Sequence, residues 1–224
     1  MADTQAGDNG GQGSVLFVAD PLDQLKPAKD SSIAMMRELA RRNVAVWACT
    51  PPDLVWEGGA VRTSALALRI APEGDGAWYS TGPSQRRELA GFSAVLMRKD
   101  PPFDAEYLYA THLLSAAERG GARVFNAPEA LRNHNEKLAI TEFAQFTAPT
   151  LVSGDAREIL AFGREQGAIV VKPLDGMGGS GIFRLTPGDP NTNVILETAT
   201  QEGVRRSAGC ACRPGRWRAG SAGP

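Results

Sequence analysis

Short, unbroken apolar runs recur along the chain, and between them lie segments whose apolar residues return every three or four positions. VLFVAD at 15, SSIAMMRELARR at 31 and VAVWACT at 44 predict a strand, a helix and a second strand. Strands covered on both faces lose their polar alternation, so this order predicts a parallel β-α-β unit. The pattern repeats with AVLMRKD at 94, AEYLYATHLLSAAERG at 105, stopped by Gly120 and Gly121, and ARVFN at 122. The first part of the chain is therefore expected to be an α/β domain.

Between Asp53 and Arg87 the pattern breaks. WEGG, EGDG and TGPS punctuate that region with glycine and proline, which suggests hairpins or long loops rather than another crossover, and its elements stay unassigned. From Pro128, well suited to a first helical position, PEALRNHNEKLAITEF predicts one helix, and Thr147 to Thr150 turns into a new section. There TLVS, a helix around AREILAFGREQG, the strand AIVVKPL, a glycine loop and GIFRL follow in order and suggest a second domain.

At 224 residues and 42% hydrophobic, the chain has material for one large or two modest domains. Residues 1–13 are polar and glycine-rich, without the positive start and apolar core of a signal peptide, and are expected to form a disordered leader. No apolar run is long enough to cross a bilayer. Cys49 stands alone and Cys210 and Cys212 lie close together near the end, which is no disulfide framework, so a cytoplasmic protein without membrane association is expected. From Arg205 the sequence is RRSAGCACRPGRWRAGSAGP, with no acidic residue and no Ile, Leu or Val; residues 205–224 are predicted to be an unstructured tail. All 25 acidic residues precede it and it holds five of the 24 basic ones, so residues 1–204 carry 19 basic against 25 acidic groups, a charge of −6 that the tail masks. That balance, without a cationic motif, argues against nucleic acid and for small-molecule partners.

The candidate chemistry centres on VVKPLDGMGGSGIFRL, Val170 to Leu185. Glycines let backbone N–H groups approach a ligand and cradle phosphate oxygens, and Lys172 at the end of a buried strand brings a cation to the same place. The stretch lacks the Gly-Lys-Ser/Thr of a P-loop, and no helix follows it as in a dinucleotide fingerprint. Because GIFRL returns as a strand, the glycines read as the tip of a hairpin, a flap over a nucleotide; a plain hairpin with a solvated lysine fits the same residues. In LMRKDPPFD, Arg98 and Lys99 sit at the carboxyl end of a parallel strand, where open α/β sheets bind ligands, and two cations suit a carboxylate; a surface loop with its own salt bridges fits as well. After the first strand, either Asp20, Lys29 and Ser31 face the same crevice, or Asp30 and Ser31 merely cap the next helix. His112 and His134 are too few and too far apart in sequence for a metal cluster.

DPLDQLKPAKDSS at 20–32, MRKDPPFD at 97–104, NEKL at 135–138 and KPLDGMGGSGIFR at 172–184 together resemble the bacterial glutathione synthetases, which are ATP-grasp ligases. The likeness covers about residues 14–204. It implies a Rossmann-like parallel-sheet domain at 14–127, the pre-ATP-grasp domain, followed by an incomplete ATP-grasp domain at 128–204. It also implies ATP-dependent joining of γ-glutamylcysteine to glycine through an acyl phosphate, giving glutathione, ADP and phosphate. By matching position, Lys137 and Lys172 would contact ATP, and Asp175, Gly176, Met177, Gly178, Gly179, Ser180 and Gly181 would cover its phosphates. Asp20, Ser31, Arg98 and Lys99 would face the peptide. The family's adenine-holding segment, second glycine-rich loop and Mg²⁺ ligands have no match here, so the metal is expected outside this chain. The tail's composition predicts a frameshift or truncation after about residue 204 and a 224-residue chain that does not catalyse. Another carboxylate–amine ligase, or a non-catalytic nucleotide-binding remnant, are the alternatives, and a homo-oligomer stays open.

Overall fold

The computed structural model describes residues 13–72, 77–175, 181–201 and 207–211. The chain forms two compact units, Met1–Asn133 and His134–Pro224. Among the described residues no helix is long and apolar enough to cross a membrane.

The first unit is built on a mixed sheet. Strand β1 (Ser14–Val18) pairs in parallel with β2 (Ala45–Cys49) on one side and with β6 (Ala94–Met97) on the other, and β6 continues in parallel to β7 (Val124–Phe125). Helix α1 (Ser31–Arg41) connects β1 to β2, and α2 (Ala105–Arg119) connects β6 to β7. Alternate side chains of β1 enter two different cores. Leu16 and Val18 join Val95 and Leu114 of α2, while Val15 and Phe17 join Ile33 and Met36 of α1. Both faces of β1 are thus apolar, which is why its sequence shows no alternation.

The stretch from 53 to 87 is a meander added to the edge of that sheet. Strands β3 (Leu54–Glu57), β4 (Ala60–Ile70) and β5 (Tyr79–Glu88) follow one another antiparallel, and β4 also pairs with β2 over Val46–Ala48. The turn between β3 and β4 needs Gly58 and Gly59, both at positive φ. In β4 the buried positions Val61, Thr63 and Ala65 alternate, then the phase slips to Leu68. The slip coincides with an extra residue on β5, where Leu66 faces Ser84 and Leu68 faces Thr81, around Gly82 and Pro83. Among the described residues β5 pairs only with β4, and an edge strand tolerates such a proline.

The second unit carries a four-stranded sheet in the order β10-β9-β11-β8. Its strands are β8 (Thr150–Ser153), β9 (Ile169–Pro173), β10 (Phe183–Leu185) and β11 (Ser207–Ala211), with α4 (Ala156–Gln166) and α5 (Thr192–Thr200). Ile159 of α4, Leu196 and Ala199 of α5, and Ile169, Val171 and Leu185 of the sheet form one core.

Two expectations are corrected. Pro128–Phe143 is not one helix: α3 (Pro128–Asn133) is short, and after a break a 3₁₀ segment runs Leu138–Phe146. Asn135 causes the break, because its side-chain oxygen accepts from the N–H groups of Lys137 and Leu138 and so starts a new turn. Nor is residue 205 onward wholly unstructured, since β11 lies between β8 and β9 and pairs antiparallel with both. Gly209 of this strand fits close under α4, where an added Cβ would stand 3.5 Å from the Phe162 ring. The Ser207 hydroxyl donates to the Ala199 carbonyl at 2.7 Å. The expected leader up to residue 12, and residues 202–206 and 212–224, lie outside the described residues.

Cys49 is a free, buried thiol, and burial pushes its pKa up to about 12. At pH 8 it therefore stays protonated and shielded. Iodoacetamide is expected to label Cys49 only after denaturant is added, as read by peptide mass mapping; labelling of the native protein would contradict this packing.

Candidate functional site

Parallel strands β1 and β6 end side by side, and the hydrogen bond from Arg98 N–H to the Val18 carbonyl, 2.7 Å, carries their pairing past the last strand residue. The chain leaves both strands at the same sheet edge. Asp20, two residues beyond β1, therefore meets Arg98, Lys99 and Asp100, which follow β6.

Lys99 Nζ lies 2.8 Å from Asp20 Oδ1, and the Asp100 N–H donates to Asp20 Oδ2 at 2.8 Å. The two side chains are only 23% and 19% exposed, so solvent screens this pair less than an ordinary surface bridge. One carboxylate thus ties down the loop after β6. Arg98 is held differently. Its Nη2 donates to Ser31 Oγ at 2.7 Å and its Nε to Ser32 Oγ at 3.1 Å. Both acceptors are neutral, so the guanidinium is aimed without being neutralised, as recognition of a carboxylate requires.

Asp30 caps α1 through its side chain, which accepts from the Ser32 N–H at 2.7 Å. Asp30 is thus the helix cap, Asp20 and Ser31 contact Lys99 and Arg98, and Lys29 stays on an exposed turn. Ser32 and Asp100 were missed by sequence reasoning. The paired serines at the helix start were the available signal for Ser32; nothing local marked the Asp100 N–H.

In the second unit, β9 and β10 form a hairpin, with Val171 opposite Phe183 and Ile169 opposite Leu185. Ile169, Val171 and Pro173 are buried, so Lys172, one step out of phase, stands on the face away from the α4–α5 core. Arg184, opposite Val170, shares that face. Gly181 needs its missing side chain, since its φ is +68° and a Cβ would lie 3.1 Å from Pro173 Cγ. Lys137 is ion-paired with Glu136. Asp175 follows β9 and is half-buried. Gly176, Met177, Gly178, Gly179 and Ser180 lie outside the described residues. Among the described residues no group of three His, Cys, Asp or Glu side chains is placed to hold a metal ion.

The Asp100 carboxyl is raised above the usual carboxylate range, first by burial and then by the nearby charges of Asp20 and Asp30. Folding thus favours its protonated form. That contribution to stability is present below the unfolded pKa and is lost as pH rises through the higher folded one. Asp20→Asn removes one repelling charge and releases Lys99, so the Asp100 titration midpoint is expected to fall toward the ordinary range in an NMR pH series. An unchanged or higher midpoint would show that Asp20 does not act on it.

The chain also matches known proteins along most of its length. Residues 14–132 match the model of the prokaryotic glutathione synthetase N-terminal domain, and residues 136–208 match that of the prokaryotic glutathione synthetase ATP-grasp domain. The second match ends at residue 208, within β11 and a few residues past 204, where the likeness is expected to fade. The glutathione synthetase of Nitrosomonas europaea is 53% identical over 191 residues, covering 84% of this chain and 60% of that protein. That of Ralstonia nicotianae is 50% identical over 191 residues, covering 85% and 59%. The chain thus spans about 60% of the length of the curated relatives it matches. Among solved structures, a RimK domain ATP-grasp protein from Sphaerobacter thermophilus superposes with a TM-score of 0.56 at 21% identity, over 91% of this chain and 66% of its own. D-alanyl-alanine synthetase A from Vibrio cholerae does so with 0.54 at 12% identity, over 90% and 60%; these two share the fold. With both of its units matched in order, the chain belongs to the prokaryotic glutathione synthetase family.

Proposed function

We propose that this chain supplies the peptide-binding and phosphate-covering parts of a glutathione synthetase. The observation that carries this reading is the Arg98 guanidinium, aimed by two neutral hydroxyls at the carboxyl end of the parallel strands. In the reaction, the cysteinyl carboxylate of γ-glutamylcysteine takes the γ-phosphoryl group of ATP and releases ADP. The amine of glycine then attacks the acyl carbon, and phosphate leaves as the peptide bond forms.

Each step needs positioned charge more than covalent help from the protein. Arg98 holds a carboxylate of the dipeptide, and the Asp20–Lys99 pair fixes the loop that carries it. Lys172, held on β9 and set away from the core, is placed to offset phosphate charge, and the hairpin beside it brings backbone N–H groups over the same oxygens. Mg²⁺ is part of the chemistry the family implies and would offset phosphate charge, but the described residues do not gather ligands for it. Another carboxylate–amine ligase would share the Lys172 hairpin; the sequence identity near 53% with glutathione synthetases favours γ-glutamylcysteine.

Titration calorimetry of the 224-residue chain tests the reading. γ-Glutamylcysteine is expected to bind, and its α-linked isomer to bind at least about tenfold more weakly. Equal affinity for the two isomers, or no binding of either, would overturn the substrate assignment. Lys172→Ala is expected to weaken a non-hydrolysable ATP analogue by about tenfold or more, the usual worth of a charge-assisted contact. Unchanged affinity would remove Lys172 from phosphate binding.

A further inference from the structure

The two faces of the parallel sheet are not covered alike. On the α2 side Val95, Met97 and Val124 of β6 and β7 are buried. On the α1 side the alternate residues of the same strands stay open: Ala94 and Leu96 are only partly buried, and Phe125 is 49% exposed. Helix α1 encloses Phe17 of β1 and Val46 and Ala48 of β2, and its cover stops short of β6 and β7. Parallel strands are ordinarily covered on both faces, so this half of the sheet is a core without its second layer.

Beside the helix the uncovered half forms a groove of about 620 Å³. Val15, Ala94, Leu96 and Phe125 make its floor, and Met35 and Leu39 of α1, one turn apart, make its wall. Met35 is 40% exposed, and Ala34 next to it is small enough to let another element approach closely. Among the described residues, the charged ones in the lining are Glu38 and Arg42, also one turn apart and paired with each other at 2.6 Å. Their charges offset one another, which leaves a trough with no net charge to select an ionic ligand.

This surface is complementary to itself. An exposed apolar ridge stands directly beside a trough of the same character, and an anion stands beside a cation on the rim. A patch with knob next to hole and plus next to minus can meet a copy of itself about a two-fold axis.

We propose that this face joins two copies of the chain. The axis lies beside α1, and the helix of each copy covers the β6–β7 half of the other, so that two antiparallel α1 helices form one layer between two sheets. Glu38 then comes level with Arg42 of the partner subunit, and each copy repeats the contact. Met35 and Phe125, exposed in a single chain, stand at the centre, where methionine and aromatic side chains are favoured. The contact uses none of the residues assigned to peptide or phosphate binding and does not rest on the ligase reading.

Sedimentation velocity of the full chain, run from nanomolar to high micromolar concentration, provides the test. The wild type is expected to pass from monomer to dimer. Met35→Lys and Phe125→Lys, both at exposed positions, are each expected to weaken the dimer by at least about tenfold with the circular dichroism spectrum unchanged. The rim charges add a readout that damage to folding does not imitate. Glu38→Lys alone and Arg42→Glu alone set like charges against each other across the axis and weaken self-association, whereas an equimolar mixture of the two variants restores it as a heterodimer. A wild type that stays monomeric throughout would leave the groove to another occupant, an apolar small molecule or a further stretch of polypeptide, and would overturn the proposal. So would a dimer that Met35→Lys and Phe125→Lys leave intact, or a mixture that associates no better than either charge variant by itself.

Discussion

The first unit depends on one constraint: a strand buried on both faces has no side on which polar groups can sit, so its chemistry must begin where it ends. Leu16, Phe17 and Val18 are fully enclosed. Strands β1, β2 and β6 run parallel, and their enclosed segments therefore all finish at one edge of the sheet. Asp20, Thr50 and Arg98, far apart in sequence, are the first polar residues the chain can release there. The apolar core decides where the polar site stands, and the helix entering after β1 decides how Arg98 is aimed, because Ser31 and Ser32 open that helix.

The second unit obeys the same alternation on a smaller scale. With Ile169 and Val171 committed to the α4–α5 core and Pro173 buried in the same phase, Lys172 has a single face left to it. Its orientation is thus a by-product of packing. At the foot of the returning strand, Gly181 combines a left-handed backbone with close approach to Pro173, so the base of the hairpin closes against a proline ring.

Much of this was legible in advance because it follows from periodicity. The unbroken runs at 15, 44 and 94 announced parallel strands, and the return of GIFRL after the glycines announced the hairpin. What escaped was held together by backbone rather than by apolar pattern. β5 reads YSTGPSQRRE, a nearly polar strand that exists because β4 offers it a ladder. β11 reads SAGCA and lacks the branched or aromatic residues that mark a strand; at Gly209 an added Cβ would already touch the Phe162 ring of α4. Within the site, Ser32 and the Asp100 N–H act through contacts across 66 and 80 residues, and no local signal encodes such distances.

The position of β11 also sets an order of assembly. β8 and β9 do not pair with each other; each is bridged to the other through β11, more than thirty residues later in the chain. The first unit has all its strands by residue 125, so it can consolidate on a ribosome while the second is still emerging. The second cannot join β8 to β9 until residues 207–211 have left the exit tunnel. Until then it presents two unpaired strand edges at the place where its central strand will sit, which makes the interval between those two moments the point at which a chaperone matters most.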